Sequence, residues 1–366
     1  MNNSADKREA NSKKTAPQRL LELSKNSDPS VQLAVAKNPK TPMQALEHLS
    51  GHGKFTILKA VALNPNVSVG VLERLAGHRQ GTVVQAVASS TRAPLKLLER
   101  LARHADKNVR EHVIGNQQRT PKLFELLAQD EDSWIRLHVA LKIDCPPHVL
   151  EMLASDPDES VRNAVAGNWN APPNVVRALT TDPDGYVRAG TVDNLERNSE
   201  AALLHKLARD PDAQVRVEVA KIAGWDEDLH SHLLDDDDEL VRDELVRHEE
   251  LPAAAMLKLA GDSSESVRIR LAENEGLSRA ALEILVVDPS MAVRQPLAYN
   301  KVEPTPVWLL ERLACDPSDF VRWQVAYNGN TPKKVLEVLC QDGVESVREN
   351  AKATLARRER RGQDDG

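Results

Sequence analysis

The sequence predicts an all-α chain, a right-handed α-solenoid of about thirteen two-helix repeats, and three observations carry that prediction. A valine or isoleucine returns at a near-constant spacing, a leucine stands eight residues before each one, and helix-starting and helix-stopping residues punctuate the intervals. The 366-residue length would otherwise suggest two or three globular domains. Repeat arrays escape that arithmetic, because each unit packs only on its neighbours.

The anchor column runs Val31, Ile57, Val83, Val109, Ile135, Val161, Val187, Val215, Val241, Val267, Val293, Val321 and Val347. Ten of the twelve intervals are 26 residues and two are 28. The leucine column is unbroken: Leu23, Leu49, Leu75, Leu101, Leu127, Leu153, Leu179, Leu207, Leu233, Leu259, Leu285, Leu313 and Leu339. Both longer repeats keep the eight-residue offset. Their extra residues therefore fall in the loop before the leucine-bearing helix, near Asn194–Ser199 and Lys301–Pro304.

Each unit reads as a longer helix opened by Thr-Pro and a shorter one opened near Asp-Pro. Thr41-Pro42, Thr120-Pro121, Thr305-Pro306 and Thr331-Pro332 are starts of the first kind, with threonine as cap and proline losing no useful N–H. Asp28-Pro29, Asp156-Pro157 and Asp316-Pro317 are among the starts of the second. An asparagine such as Asn38 or Asn64 would end the shorter helix in a left-handed conformation, with Pro39 or Pro65 preventing its continuation. About two turns remain, short enough for 3₁₀ geometry. Neither helix is long enough to be stable alone.

Residues Asp316 to Ala326, Asn328 to Leu339, and Asp28 to Leu49 resemble the leucine-rich repeat variant family, whose unit looks like D-P-x-x-x-V-R-x-x-V-A-x-N-P-x-T-P-x-x-x-L-x-x-L-A. The resemblance covers residues 17–357. It implies alternating α and 3₁₀ or short α helices in a right-handed superhelix related in shape to HEAT repeats. Some members carry a cysteine-rich iron–sulfur module ahead of the repeats. No cysteine here precedes Cys145, so that cofactor is not carried over and none is expected. The resemblance alone suggests one further role, an adaptor that modulates a metalloenzyme. Residues 1–16 and 358–366 are expected to be disordered, charged tails around a continuous solenoid.

Arginine follows the anchor ten times, from Arg110 to Arg348, and aspartate precedes it by five residues nine times, from Asp130 to Asp342. A basic stripe could track a phosphate backbone. Matched columns of opposite sign are better explained as charge-assisted bonds between neighbouring units. Exposed pairs contribute about 0–1 kcal/mol each, so such a ladder would set register more than stability.

Binding surfaces belong where the columns vary. Three residues after the anchor, Ala34, Ala60 and Ala86 give way to His112 and His138, and later to Glu218, Glu244 and Arg270. The two histidines would lie about 10 Å apart on neighbouring helices, too far for one metal ion. No HExxH or Cys/His cluster supports a metal site. Five of the eleven aromatic residues fall between 299 and 327: Tyr299, Trp308, Phe320, Trp323 and Tyr327. Aromatics anchor interfaces, and they also thicken cores.

The formal charge of −7, and the acidic run Asp235–Asp238, weigh against nucleic acid. No nucleophile–base constellation, GxSxG or glycine-rich phosphate loop is present. Trp225-Asp226 is the only local echo of a HEAT-like DNA glycosylase resembling AlkD. Three scattered cysteines, no leader-like apolar start and no long apolar run point to a reduced, cytoplasmic, monomeric chain without a membrane span. The expectation is a non-enzymatic scaffold or adaptor for a protein or extended peptide. A HEAT-like nucleic-acid-associated or DNA-repair array is the alternative.

Overall fold

The computed structural model describes residues 3–222, 225–248, 250–299 and 305–361. Every regular element among them is an α-helix. The chain forms two compact units, one ending at Asn194 and the other beginning at Leu195. Each is a series of helix pairs in which anchor-bearing helices pack on the next anchor-bearing helix, as Phe55–Leu63 does between Pro29–Lys37 and Gly81–Ala88. All thirteen anchors are fully buried, and the leucine column is at most 5 % exposed. The two columns are the core.

Helix lengths reverse the sequence expectation. Leucine helices such as Met43–Leu49 and Pro121–Leu127 have seven residues, while anchor helices such as Pro29–Lys37 have nine. The proposed 3₁₀ geometry is absent among the described residues. The Thr-Pro signal also splits. Thr120 caps its helix by accepting from the Leu123 N–H, but Thr41 and Thr331 donate their hydroxyls at 2.6 Å to the carbonyls of Val35 and Val325. Those buried threonines satisfy the preceding helix's C-terminal end, where carbonyls lack partners.

Aspartate has two separate jobs. Asp106, Asp132, Asp158 and Asp184, three residues before their anchors, are the N-caps. The N–H groups of Ser30 and Asn108 hold the capping carboxyls of Asp28 and Asp106 below the usual range. The column five residues before the anchor does something else. Its carboxylates receive the arginine of the preceding repeat, in Arg110–Asp130, Arg136–Asp156, Arg162–Asp182, Arg216–Asp236, Arg242–Asp262, Arg268–Asp288, Arg294–Asp316 and Arg322–Asp342, with Nε to Oδ2 at 2.6–2.8 Å. Each arginine also donates through Nη1 to a carbonyl in its own repeat, as Arg136 does to Asp130 at 2.7 Å. One guanidinium thus ties two repeats together.

The ladder is not exposed, contrary to the sequence reading. Arg110 and Asp130 side chains are 7 % and 5 % accessible. Burial raises the Asp182 carboxyl, but Arg162 and the Asp184 N–H outweigh it and leave it low. Removing one member of such a pair leaves a buried charge and costs about 3–5 kcal/mol, far more than a surface pair.

The asparagine column also departs from expectation. Asn38 and Asn64 close their helices in an extended conformation, φ −73° and −71°. Their amides reach back one repeat instead. Asn64 Nδ2 donates to the carbonyls of Ala36 and Asn38, and Asn116, Asn168 and Asn194 repeat the pattern. A planar amide with two donors satisfies two orphan carbonyls at once, which a left-handed cap would not do.

The expected N-terminal tail is a helix over Asn3–Asn11. Ala10 is fully buried, and its carbonyl accepts from Asn38 Nδ2 at 2.7 Å. The asparagine ladder needs a preceding carbonyl, and this helix supplies it. At the other end, the Glu345–Arg361 helix passes residue 358 without a break. The expected insertion loop at Lys301–Pro304 lies outside the described residues.

Candidate partner-binding surface

The column three residues after the anchor is where successive anchor helices meet. Ala34, Ala60, Ala86 and Ala164 are at most 8 % exposed there. Larger residues in this column lie partly buried and turn to local partners. His112 and His138 donate through Nδ1 to the carbonyls of Asn108 and Trp134, at 2.6 and 2.8 Å. The His138 ring lies 4.2 Å from that of Trp134. Glu218 pairs with Lys221 at 2.7 Å, Glu244 with Arg247 at 3.5 Å, and Arg270 with Asp243 at 2.6 Å. Among the described residues no group of three metal-ligating side chains converges.

The five aromatics between residues 299 and 327 separate into three places. Phe320, Trp323 and Tyr327, spaced three and four residues apart on the Asp319–Tyr327 helix, share one face. Their rings stack at 6.0 and 5.7 Å, inclined by 13° and 4°. The Arg357 guanidinium caps the stack 5.3 Å from the Tyr327 centroid. Phe320 and Tyr327 remain 43 % and 44 % exposed, whereas Trp323 packs partly on the core. Tyr299, at the last residue of the Met291–Tyr299 helix, is exposed. Stacking therefore runs along one helix. Trp308 lies elsewhere, under the Arg279 guanidinium at 5.6 Å and against the core. It lines an open cleft of about 760 Å³ with Arg312, Asp316 and the exposed Cys315.

A second set of exposed apolar residues, in the N-terminal unit, escaped the sequence reading. Trp134, Leu141, Ile143, Trp169 and Tyr186 are all exposed, Ile143 by 75 % and Trp169 by 62 %. Leu141, Ile143 and Trp169 flank a shallow cleft of about 370 Å³ floored by Ala164 and Gly167. The five residues occupy three different repeat positions, so no single column shows them. The usable signal was Trp169 and Ile143 standing where Pro39 and Pro65 stand in the first repeats.

Trp225 Nε1 donates to Glu227 at 2.9 Å and its ring stacks on His230 at 5.0 Å, while Asp226 caps Leu229. Burial, then Asp144, pushes the Cys145 thiol up to about 12, which keeps it protonated at neutral pH. Cys315 and Cys340 are also free thiols. No helix among the described residues is long and apolar enough to cross a membrane.

No family model and no curated protein matches this chain. Solved structures do. A leucine-rich repeat variant with a repetitive structural motif is similar at 27 % identity, over 56 % of this chain and 80 % of its own, with a TM-score of 0.44. An engineered protein aligns over 93 % of this chain and 98 % of its own, at 16 % identity and a TM-score of 0.27. Kap121p bound to Ste12p aligns at 12 % identity over 97 % of this chain, which spans 46 % of that protein, with a TM-score of 0.42.

Proposed function

We propose that this chain is a non-enzymatic scaffold that binds a protein or extended peptide, and that the aromatic face of the Asp319–Tyr327 helix is its contact surface. The observation that carries this reading is the Phe320–Trp323–Tyr327 stack, held rigid by its neighbours yet nearly half exposed at both ends. Rigid aromatic area loses little entropy on binding and is enriched among interface anchors. The ladder arginines support the same choice over nucleic acid, because a phosphate backbone would have to displace buried aspartates from them. Three free thiols fit a monomer working in the reducing cytoplasm.

The test is capture from a native lysate, with and without nuclease, by the natural chain and by a Phe320→Ala/Tyr327→Ala variant. Those residues are chosen because Trp323 also packs on the core. A set of proteins that survives nuclease and is lost from the variant supports the reading. Recovery that collapses with nuclease, or that is identical for both chains, refutes it.

A further inference from the structure

We infer that the aromatic stack and the end of the last helix form one binding surface for an acidic peptide segment, with apolar residues leading into a run of carboxylates. This rests on the scaffold reading above and names the chemistry of its partner.

The Asp319–Tyr327 and Glu345–Arg361 helices pack side by side and run the same way. Asn350 Nδ2 reaches the Trp323 carbonyl, Thr354 Oγ1 reaches that of Ala326, and Arg357 covers Tyr327. Charge along the pair is therefore sorted by position. Glu345 and Glu349 lie beside the Phe320 end, eight to twelve residues before Arg357. Arg357 and Arg358 lie at the Tyr327 end, and Arg358 donates at 2.6 Å to the carbonyl of Gly329, just past Tyr327. Residues 352–361 carry five basic side chains and one acidic, in a chain of net charge −7. Arg357 takes neutral acceptors, the carbonyl of Ala353 and the hydroxyl of Thr354. The surface thus runs from an aromatic end flanked by Glu345 and Glu349 to a cationic end, along about three helical turns.

The ring geometry selects between anionic partners. Trp323 has a ring on either side, and Tyr327 lies between Trp323 and Arg357. These two rings have neighbours on both sides and present mainly their edges, while Phe320, at the end of the stack, keeps one outer face. A run of stacked nucleobases needs more than one free π face. Ring edges carry the positive end of the quadrupole, and with a neighbouring guanidinium they complement carboxylates. Apolar side chains of the same segment would lie over the Phe320–Trp323 end.

The experiment uses fluorescence polarisation with the full chain and four labelled probes. These are a short peptide with phenylalanines followed by glutamates, the same peptide with glutamine or with lysine in place of glutamate, and oligothymidylate. The glutamate peptide is expected to bind about tenfold more tightly than the glutamine form, with the gap closing in high salt. Arg357→Gln should remove the gap while leaving the helical circular-dichroism signal and melting unchanged. If that variant unfolds, the salt dependence of the natural chain decides. Equal affinity for glutamate and glutamine peptides overturns the acidic preference but leaves the scaffold reading standing. Tighter binding of the lysine peptide or of oligothymidylate overturns it as well, as does no binding by any peptide, and lysate capture then judges the scaffold separately.

Discussion

The first three repeats and those that follow solve the same junction in different ways. In eight of the later repeats, with Arg110 the first and Arg322 the last, an arginine after the anchor reaches a buried aspartate in the next repeat. In the repeats anchored by Val31, Ile57 and Val83 the arginine position holds Gln32, Leu58 and Val84, of which Leu58 and Val84 are almost fully buried. The facing aspartate position holds His52, His78 and His104. These histidines keep half of the aspartate's work. Each ring accepts through Nδ1 the N–H two residues on, at 2.9–3.0 Å, as Asp130 does through Oδ1. The turn is common to both regions and the charge is optional. A buried ion pair and a buried aliphatic contact can close the same joint, which is expected when desolvation offsets most of the Coulombic gain.

The sharpest way to break the contrast is to strip one charge. Arg110→Met leaves Asp130 buried and should lower stability by about 3–5 kcal/mol in denaturant unfolding, with local hydrogen exchange rising around both repeats. Adding Asp130→Asn should restore most of that loss, since the amide still serves the Asp132 N–H. Failure of the double variant to recover would mean that the first three repeats are no guide to the others.

Core truncation should ignore the contrast. Leu75→Ala and Leu233→Ala, on either side of it and both nearly inaccessible, should each cost about 2–5 kcal/mol. An unchanged melting profile in either variant would remove that leucine from the core.

Acid should restore the contrast. Asp236 is raised by burial but lowered further by Arg216, and Arg322 holds Asp342 low. Their stabilisation is complete above the ordinary aspartate value of about 3.9 and is lost as pH falls through their lower folded values. Hydrogen exchange near pH 3 should therefore quicken in the repeats around Asp236 and Asp342 more than around Ile57 and Val83. Uniform acceleration would contradict the pairing.

A smaller effect is expected at His230, which occupies a core position held by Leu98, Leu150 and Leu204 elsewhere. It is fully buried, its Nε2 has no partner, and its ring lies 4.7 Å from that of His248. Burial, then His248, lowers its pKa. Neutral His230 is stable above about 6.5, and its contribution is lost as pH falls through the depressed folded value. Melting between pH 7 and 5 should fall more for the natural chain than for His230→Leu. Parallel curves would show that protonation is accommodated without cost.

The repeat columns made the core legible because a 26-residue period leaves Val109 and Leu101 no other role. Charge matching foretold the ladder, but spacing within one repeat could not reveal that Arg110 pairs twenty residues ahead. Two aspartate columns, at Asp156 and Asp158, were merged because Asp28-Pro29 and Asp156-Pro157 look alike in different registers. Asn38 was read as a local stop because its partner at Ala10 is 28 residues away. For the surface, Phe320, Trp323 and Tyr327 showed themselves by the density of aromatics between residues 299 and 327. Trp169 and Ile143 did not, since exposure is a property of neighbours that a single repeat does not contain.

The longer repeat between Val293 and Val321 carries one more consequence. Arg294 still meets Asp316, now 22 residues ahead, at the same 2.6 Å as shorter neighbours. Among the described residues, these guanidinium ties each end in the neighbouring repeat. A gene encoding such a chain can gain or lose whole units by recombination between copies, and each product inherits intact joints on both sides of the splice. The molecule's reach is thus a heritable length, adjustable in steps without redesign of what lies at either end.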